Sequence, residues 1–219
     1  MPGLLPHRGK SLPRYGIFGG TFDPIHLAHL LLAEMARESC GLDKVIFVPA
    51  ANPPHKSGLV VAAARHRLRM VEIAVADNPC FEVSRVEIDR AGPSYTVDTV
   101  RWFRQSVPDA EWCLIVGSDT LAEIPGWHEY RSLLQLAAIL AGARPGTPSA
   151  VPDELKPWRD RIGFFPLPAF DISATMIRAR IASGLSVRYM IPPGVAVYLE
   201  EHPIYRGLYK PASVAKNRS

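Results

Sequence analysis

The chain has few cysteines, no long hydrophobic run, and no acidic residue near either end. Its three cysteines, Cys40, Cys80 and Cys113, are odd in number and show no paired ligand spacing, which excludes a cysteine zinc site and a disulfide framework. A reducing cytoplasm is the expected setting. No segment approaches the roughly 20 apolar residues of a membrane span. Met1 to Arg14 is basic and proline-containing, without the apolar stretch of a signal peptide. The missing acids matter most for the charge. Arg8, Lys10 and Arg14 near one end, and Arg206, Lys210, Lys216 and Arg218 near the other, account for more than the whole excess of +4 and leave −3 on the rest. A nucleic-acid surface on the folded part is therefore not expected. There is no internal repeat. The 219 residues, 47% of them hydrophobic, suit one domain over 15–205 between basic tails at 1–14 and 206–219.

What is there alternates. Short, unalternating apolar runs at Tyr15–Phe18, Val45–Val48, Trp112–Val116 and Ala137–Ala141 read as strands covered on both faces. Between them run helical patterns through Leu27, Leu30, Leu31 and Met35, through Leu68, Val71, Ile73 and Val75, and through Val97, Val100, Phe103 and Val107. Phe81 to Ile88 adds a shorter strand or two. Gly142 to Trp158 reads as proline-rich loop with one short helix. Ile162 to Leu167 is a further strand, followed by a helix at about Ala174–Ser183 and a last helix that Pro192-Pro193 opens and that runs through Glu200. Strands alternating with helices predict a doubly wound parallel α/β sheet with a small C-terminal helical portion. Ligands of such a sheet sit beyond the carboxyl ends of its strands.

The most informative stretch is Gly16-Ile17-Phe18-Gly19-Gly20-Thr21-Phe22-Asp23-Pro24-Ile25-His26-Leu27-Ala28-His29. Gly19 and Gly20 remove the Cβ atoms that would hold backbone N–H groups away from a phosphate. Asp23 suits a helix cap and Pro24 a first turn. His26 and His29 then share one face at the positive end of the helix dipole. The His-x-x-His pair lacks an intervening glutamate and a third ligand, so no metal bound by the protein is expected. After the second strand, Pro49 to Lys56 is a proline-stiffened loop carrying Lys56, a point charge for phosphate oxygens. Near the other end, Ser173 caps a helix whose Arg178 reaches back over the first turn, a second anion site. A capping serine and a surface arginine would give the same pattern. Between these lie Ser94 to Thr99, whose hydroxyls suit a helix start, then Asp119 just past a strand, and Trp127 after Pro125-Gly126, a flat face for a ring.

The combination of Gly19 to His26 with His29, Pro53-Pro54-His55-Lys56, Ser94-Tyr95-Thr96 with Asp98-Thr99, Gly117-Ser118-Asp119 with Trp127, Arg144-Pro145-Gly146, and Ile172 to Arg178 resembles bacterial nicotinate-nucleotide adenylyltransferases of the nucleotidyltransferase superfamily. The likeness runs from about Tyr15 to Tyr205. It implies a Rossmann-like fold and adenylyl transfer from ATP to nicotinate mononucleotide, giving nicotinate adenine dinucleotide and pyrophosphate, a step of NAD biosynthesis. In its terms His26, His29, Lys56 and Arg178 are catalytic. Gly19, Gly20, Thr21, Phe22 and Ser173 bind ATP, and Thr96, Gly117, Asp119, Trp127 and Arg144 serve the mononucleotide. It further implies Mg2+ travelling with ATP. ATP and nicotinate mononucleotide are the expected partners, without nucleic acid or membrane, and a homo-oligomer is allowed. Two positions depart from the pattern: Ala28 stands where glycine is usual between the histidines, and Ala174 where many relatives carry a second serine. Nicotinamide mononucleotide or phosphopantetheine as acceptor, or a nucleotide-binding module without turnover, stay open at this level.

Overall fold

A computed structural model describes residues 12–53, 60–144, 146 and 150–206. Six strands, β1 (Arg14–Gly20), β2 (Lys44–Pro49), β3 (Phe81–Val83), β4 (Glu111–Gly117), β5 (Ala138–Ala143) and β6 (Ile162–Pro166), form one sheet in the order β3-β2-β1-β4-β5-β6. Every pairing is parallel. The order reverses between β1 and β4, the switch point at which sheets of this kind bind their ligands. Pairing between these two strands ends at Ile17 with Leu114, although β1 runs on to Gly20 and β4 to Gly117. The strand ends therefore part and open a crevice.

Adjacent residues of the strands feed opposite cores. Phe18, Phe47, Ile115 and Leu140 pack beneath α1 (Leu27–Cys40), α2 (Ala64–Val75), α7 (Ala174–Ala182) and α8 (Pro193–Glu201). Ile17, Ile46, Leu114 and Ile139 pack against α4 (Thr96–Ser106) and α6 (Tyr130–Leu136). Burial on both faces is the reason these strands read as continuous apolar runs rather than alternating ones. The remaining helices are single turns, α3 (Val86–Asp89) and α5 (Ser118–Leu121), with 3-10 turns at Ile124–Gly126 and Asp153–Arg161.

The expected elements form, with three corrections. The Phe81 to Ile88 segment is one three-residue strand followed by α3, since Val86 to Asp89 closes a helical turn. Asp23 and Pro24 precede α1 rather than start it: the helix begins at Leu27 with His26 as its N-cap. Arg14 is no part of a solvated tail. It opens β1, is 6% exposed, donates from Nη1 to the Cys40 carbonyl at 2.7 Å, and pairs through Nε with Glu111 at 3.1 Å. At the far end Tyr205 is fully buried. The tails before 12 and after 206 lie outside the described residues.

Candidate active site

Two cavities flank the parted strand ends. The larger, about 720 Å³, is lined by the glycine turn Gly19 to Asp23, by His26 and His29, by Gly117 and Asp119, by Arg144, and by Ser173 to Thr175 with Arg178. The smaller, about 220 Å³, is lined by Ala50 and Pro53 after β2, by Glu87, by Ser94, Tyr95 and Thr96, and by Trp127 and His128. They share Phe18 to Thr21, Gly117 and Thr120. The glycine turn is thus a common wall, with one compartment on each side.

Glycine serves at the parted ends because a side chain would fill the crevice. A Cβ built on Gly19 or Gly117 meets no atom within 4 Å, so its place is open space facing the cavities. Gly20 is constrained differently: its Cβ would press on the Phe22 ring at 2.8 Å. Phe22 sits in the left-handed region at φ 49°, a conformation costing roughly 1–2 kcal/mol for a bulky L-residue. It is held there by burial and by edge-on contacts with Phe18 and His29 at 5.5 and 5.1 Å.

The two histidines occupy the first turn of α1. His26 as N-cap donates its backbone N–H to His29 Nδ1 at 3.2 Å, and the rings stack with centroids 3.7 Å apart. An acceptor at Nδ1 puts the proton of a neutral His29 ring on Nε2, making that nitrogen a donor. His26 is 6% exposed, and burial pushes its pKa down to about 4, so at neutral pH it contributes no charge.

Asp23 is a buried anchor. Its Oδ2 accepts from the Val61 N–H at 2.8 Å, and its Oδ1 from the Ala62 N–H at 3.0 Å and from the Tyr205 hydroxyl at 2.7 Å. Arg178 Nη1 donates to the Asp23 backbone oxygen at 2.7 Å, with Asp23 Oδ2 at 3.9 Å. These bonds bring the turn before α1 against α7, two segments far apart in the chain. Ser173 caps α7 as expected, its Oγ accepting from the Met176 N–H at 3.2 Å. Two helix N-termini, one with the histidines and one with Arg178, therefore open on the same cavity, an arrangement suited to a polyphosphate.

The smaller cavity is lined by apolar side chains such as Leu114, Ile115 and Val116 and by polar ones such as Ser94, Thr96 and Glu87. The first turn of α4 begins at Thr96 without a side-chain cap. Ser94 does not cap it: its Oγ accepts instead from the Ala51 and Asn52 N–H groups at 3.0 and 3.1 Å. Trp127 packs partly on the core while lining the cavity, and His128 stacks on Tyr95 with centroids 4.1 Å apart. Glu87, 6% exposed, accepts from the Thr99 hydroxyl at 2.6 Å, and burial raises its pKa.

Almost every residue singled out from sequence lines one of these compartments. The grouping differs in one respect: Asp119 and Arg144, assigned above to the mononucleotide, line the larger cavity with the histidines, because α5 and the end of β5 lie on that side of the turn. Their side chains are exposed and approach to 3.9 Å. Gly117 borders both compartments, and Thr96 and Trp127 line the smaller one. Lys56 lies outside the described residues. Arg67, Glu87, His128 and Tyr205 carry no sequence signal of their own, since each is set by contacts across the fold.

The cytidylyltransferase-like family model matches residues 17–180. The chain is 47% identical over 194 residues to a protein of Thermus thermophilus, covering 88% of this chain and 100% of the relative. It is 46% identical over 200 residues to one of Desulfitobacterium hafniense, covering 88% and 96%. Both are named probable nicotinate-nucleotide adenylyltransferase. Among solved structures, Plasmodium falciparum nicotinic acid mononucleotide adenylyltransferase complexed with NaAD shares the fold, with TM-score 0.73 at 17% identity over 88% of this chain and 97% of that one. With its matched family model and such close relatives over nearly their whole length, this chain belongs to the nicotinate-nucleotide adenylyltransferases, within the cytidylyltransferase-like family.

Proposed function

We propose that the larger cavity holds ATP, that the smaller holds the ring of nicotinate mononucleotide, and that the two react across the glycine turn. The observation that carries this reading is the shared wall, Phe18 to Thr21 with Gly117, between a compartment of cationic and helix-start groups and one with an aromatic face. A 5′-phosphate entering from the smaller side meets the α-phosphorus of a triphosphate lying on the larger side. It displaces pyrophosphate in line and forms the dinucleotide.

The attacking oxygen is already anionic at neutral pH, so no general base is required. The task of the protein is to align two anions and neutralise charge growing on the α-phosphate and on the departing pyrophosphate. His29 Nε2–H and the N–H groups of the glycine turn serve the α-phosphate. Ser173, the first turn of α7, and Arg178 hold the distal phosphates. Lys56 brings a further cation to the same anions. Among the described residues no group of three His, Cys, Asp or Glu could hold a metal ion. This donor set fits a Mg2+ that arrives coordinated by the triphosphate, where it supplies charge neutralisation.

On the mononucleotide side, Trp127 stacks on the pyridine ring, and the first-turn N–H groups of α4 receive its carboxylate. Among the described residues no helix is long and apolar enough to cross a membrane. The test is pyrophosphate release from Mg-ATP by the purified protein with nicotinate mononucleotide, nicotinamide mononucleotide and phosphopantetheine in parallel. The acid is expected to be the preferred acceptor, and a wide preference for either alternative overturns the assignment of the smaller cavity.

A further inference from the structure

Arg67 lies in α2, is 1% exposed, and lines neither cavity. Its guanidinium spends its donors on three backbone carbonyls from three segments. Nε donates to Ala62 at 3.0 Å, Nη1 to Thr21 at 2.7 Å and Nη2 to Ala51 at 3.2 Å. Thr21 lies in the glycine turn and borders both cavities, and Ala51 lies in the loop after β2. The segment at Ala51 is gripped from its other side as well. The Ala51 and Asn52 N–H groups donate to Ser94 Oγ, and the Ser94 N–H returns a bond to the Asn52 carbonyl at 3.0 Å. A continuous chain of hydrogen bonds thus runs from the glycine turn through Arg67, the 51–52 backbone and Ser94 to the start of α4.

We propose that Arg67 is a positioning residue for adenylyl transfer, and that with Ser94 it braces the 51–52 backbone so that the two substrate compartments keep a fixed offset across the glycine turn. Three observations carry this. The guanidinium bonds the three carbonyls from three separate nitrogens held in one rigid plane, a geometry that a lysine ammonium, with all its donors on one nitrogen, does not reproduce. Burying a full cation is costly, and of the carbonyls it meets one belongs to Thr21 in the shared wall and one to Ala51, between the cavity-lining Ala50 and Pro53. Finally, the same short backbone segment receives both grips, so a displacement of either compartment passes to the other. The inference rests on the reading that ATP and the mononucleotide react over this turn, because an offset error matters only when two bound groups must meet in line.

The test uses the full chain with Arg67→Lys, Ser94→Ala and the double substitution. Per mole of folded enzyme, Arg67→Lys is expected to lower kcat about 10- to 100-fold while KM for each substrate stays within about threefold, since misalignment acts on the in-line step rather than on either binding event. Ser94→Ala, which leaves Arg67 intact, is expected to lower kcat about fivefold, and the double variant to lose less than the product of the two. Backbone amide exchange gives a readout that needs no turnover. At unchanged global stability, the Ala51 and Asn52 amides are expected to exchange at least about tenfold faster in Ser94→Ala. Reduced stability with normal kcat in Arg67→Lys, or a rise in KM alone, overturns the proposal and makes Arg67 merely structural. Unchanged amide exchange in Ser94→Ala overturns the brace, even if Arg67→Lys does not fold. A wild type that turns over no acceptor refutes the reading of the site, and the exchange experiment still decides the brace.

Discussion

Arg178 Nη1 donates to the backbone oxygen of Asp23 at 2.7 Å, joining residues 155 positions apart and fixing one guanidinium edge against the turn that precedes the histidines. A second donor, Nη2, reaches the Thr175 hydroxyl at 3.3 Å. Arg178→Lys keeps the charge and loses this geometry. It is expected to lower kcat with ATP about 100-fold, in the range measured for loss of one preorganised donor. Steady-state pyrophosphate release checks it, and a kcat within threefold of wild type rejects the role.

The glycines give a contrast between function and stability. Gly19→Ala places a methyl in open space, so stability is expected to stay within about 1 kcal/mol of wild type. On the proposed reading that space receives the phosphates, so activity should nevertheless collapse. Gly142, which also lines the larger cavity, is crowded instead: in Gly142→Ala its Cβ would press on Leu167 Cδ1 and stand 2.6 Å from Leu32 Cδ1. Overpacking there is expected to cost about 1–3 kcal/mol. Urea denaturation alongside the activity assay separates the two effects.

Trp127→Ala removes the aromatic face of the smaller cavity. Stacking of a ring on an aromatic side chain contributes about 1–3 kcal/mol, so KM for the mononucleotide is expected to rise at least about tenfold. KM for ATP should change less than about twofold. An equal rise in both would show that Trp127 acts through the core it partly joins.

His26 gives the fold a defined acid sensitivity. Its folded pKa of about 4 lies below the ordinary histidine value of 6.5, so between pH 6.5 and 4 the unfolded chain takes up a proton that the folded chain does not. Stability therefore falls as pH drops through that window and is unaffected by this ring above it. The loss is expected to reach on the order of 2–3 kcal/mol near pH 4. Unfolding free energies of wild type and His26→Gln at pH 7 and pH 4.5 isolate it, and parallel pH slopes in the two proteins would refute it.

The sheet was legible because every central strand is covered on both faces. Runs such as Val45 to Val48 and Trp112 to Val116 carry that burial directly in their composition. The groups lining the larger cavity were legible because glycine, histidine and a capped helix start have local geometries that chemistry constrains. Ser173 caps its helix as read. Asp23 was misread as a cap because a carboxylate before a helix looks the same whether it bonds its own first turn or, as here, Val61, Ala62 and Tyr205. Arg14 was misread because its partners, Glu111 and the Cys40 carbonyl, are distant in sequence. Arg67 gave no signal at all: an arginine in a helix declares neither its burial nor three carbonyl partners drawn from separate loops. The side of the turn taken by Asp119 and Arg144 depends on where β5 stands relative to β1, which only the strand order settles.

Because β1 and β4 separate beyond Ile17 and Leu114, the finished dinucleotide would straddle one floor with a foot in each compartment. Departure then requires two grips to loosen together, which makes release a natural slow step of the cycle. For the same reason a tethered compound carrying an adenosine phosphate and an aromatic acid would treat its second half as locally concentrated, in the millimolar range for a short flexible tether. Two halves that each bind weakly would then hold tightly once joined.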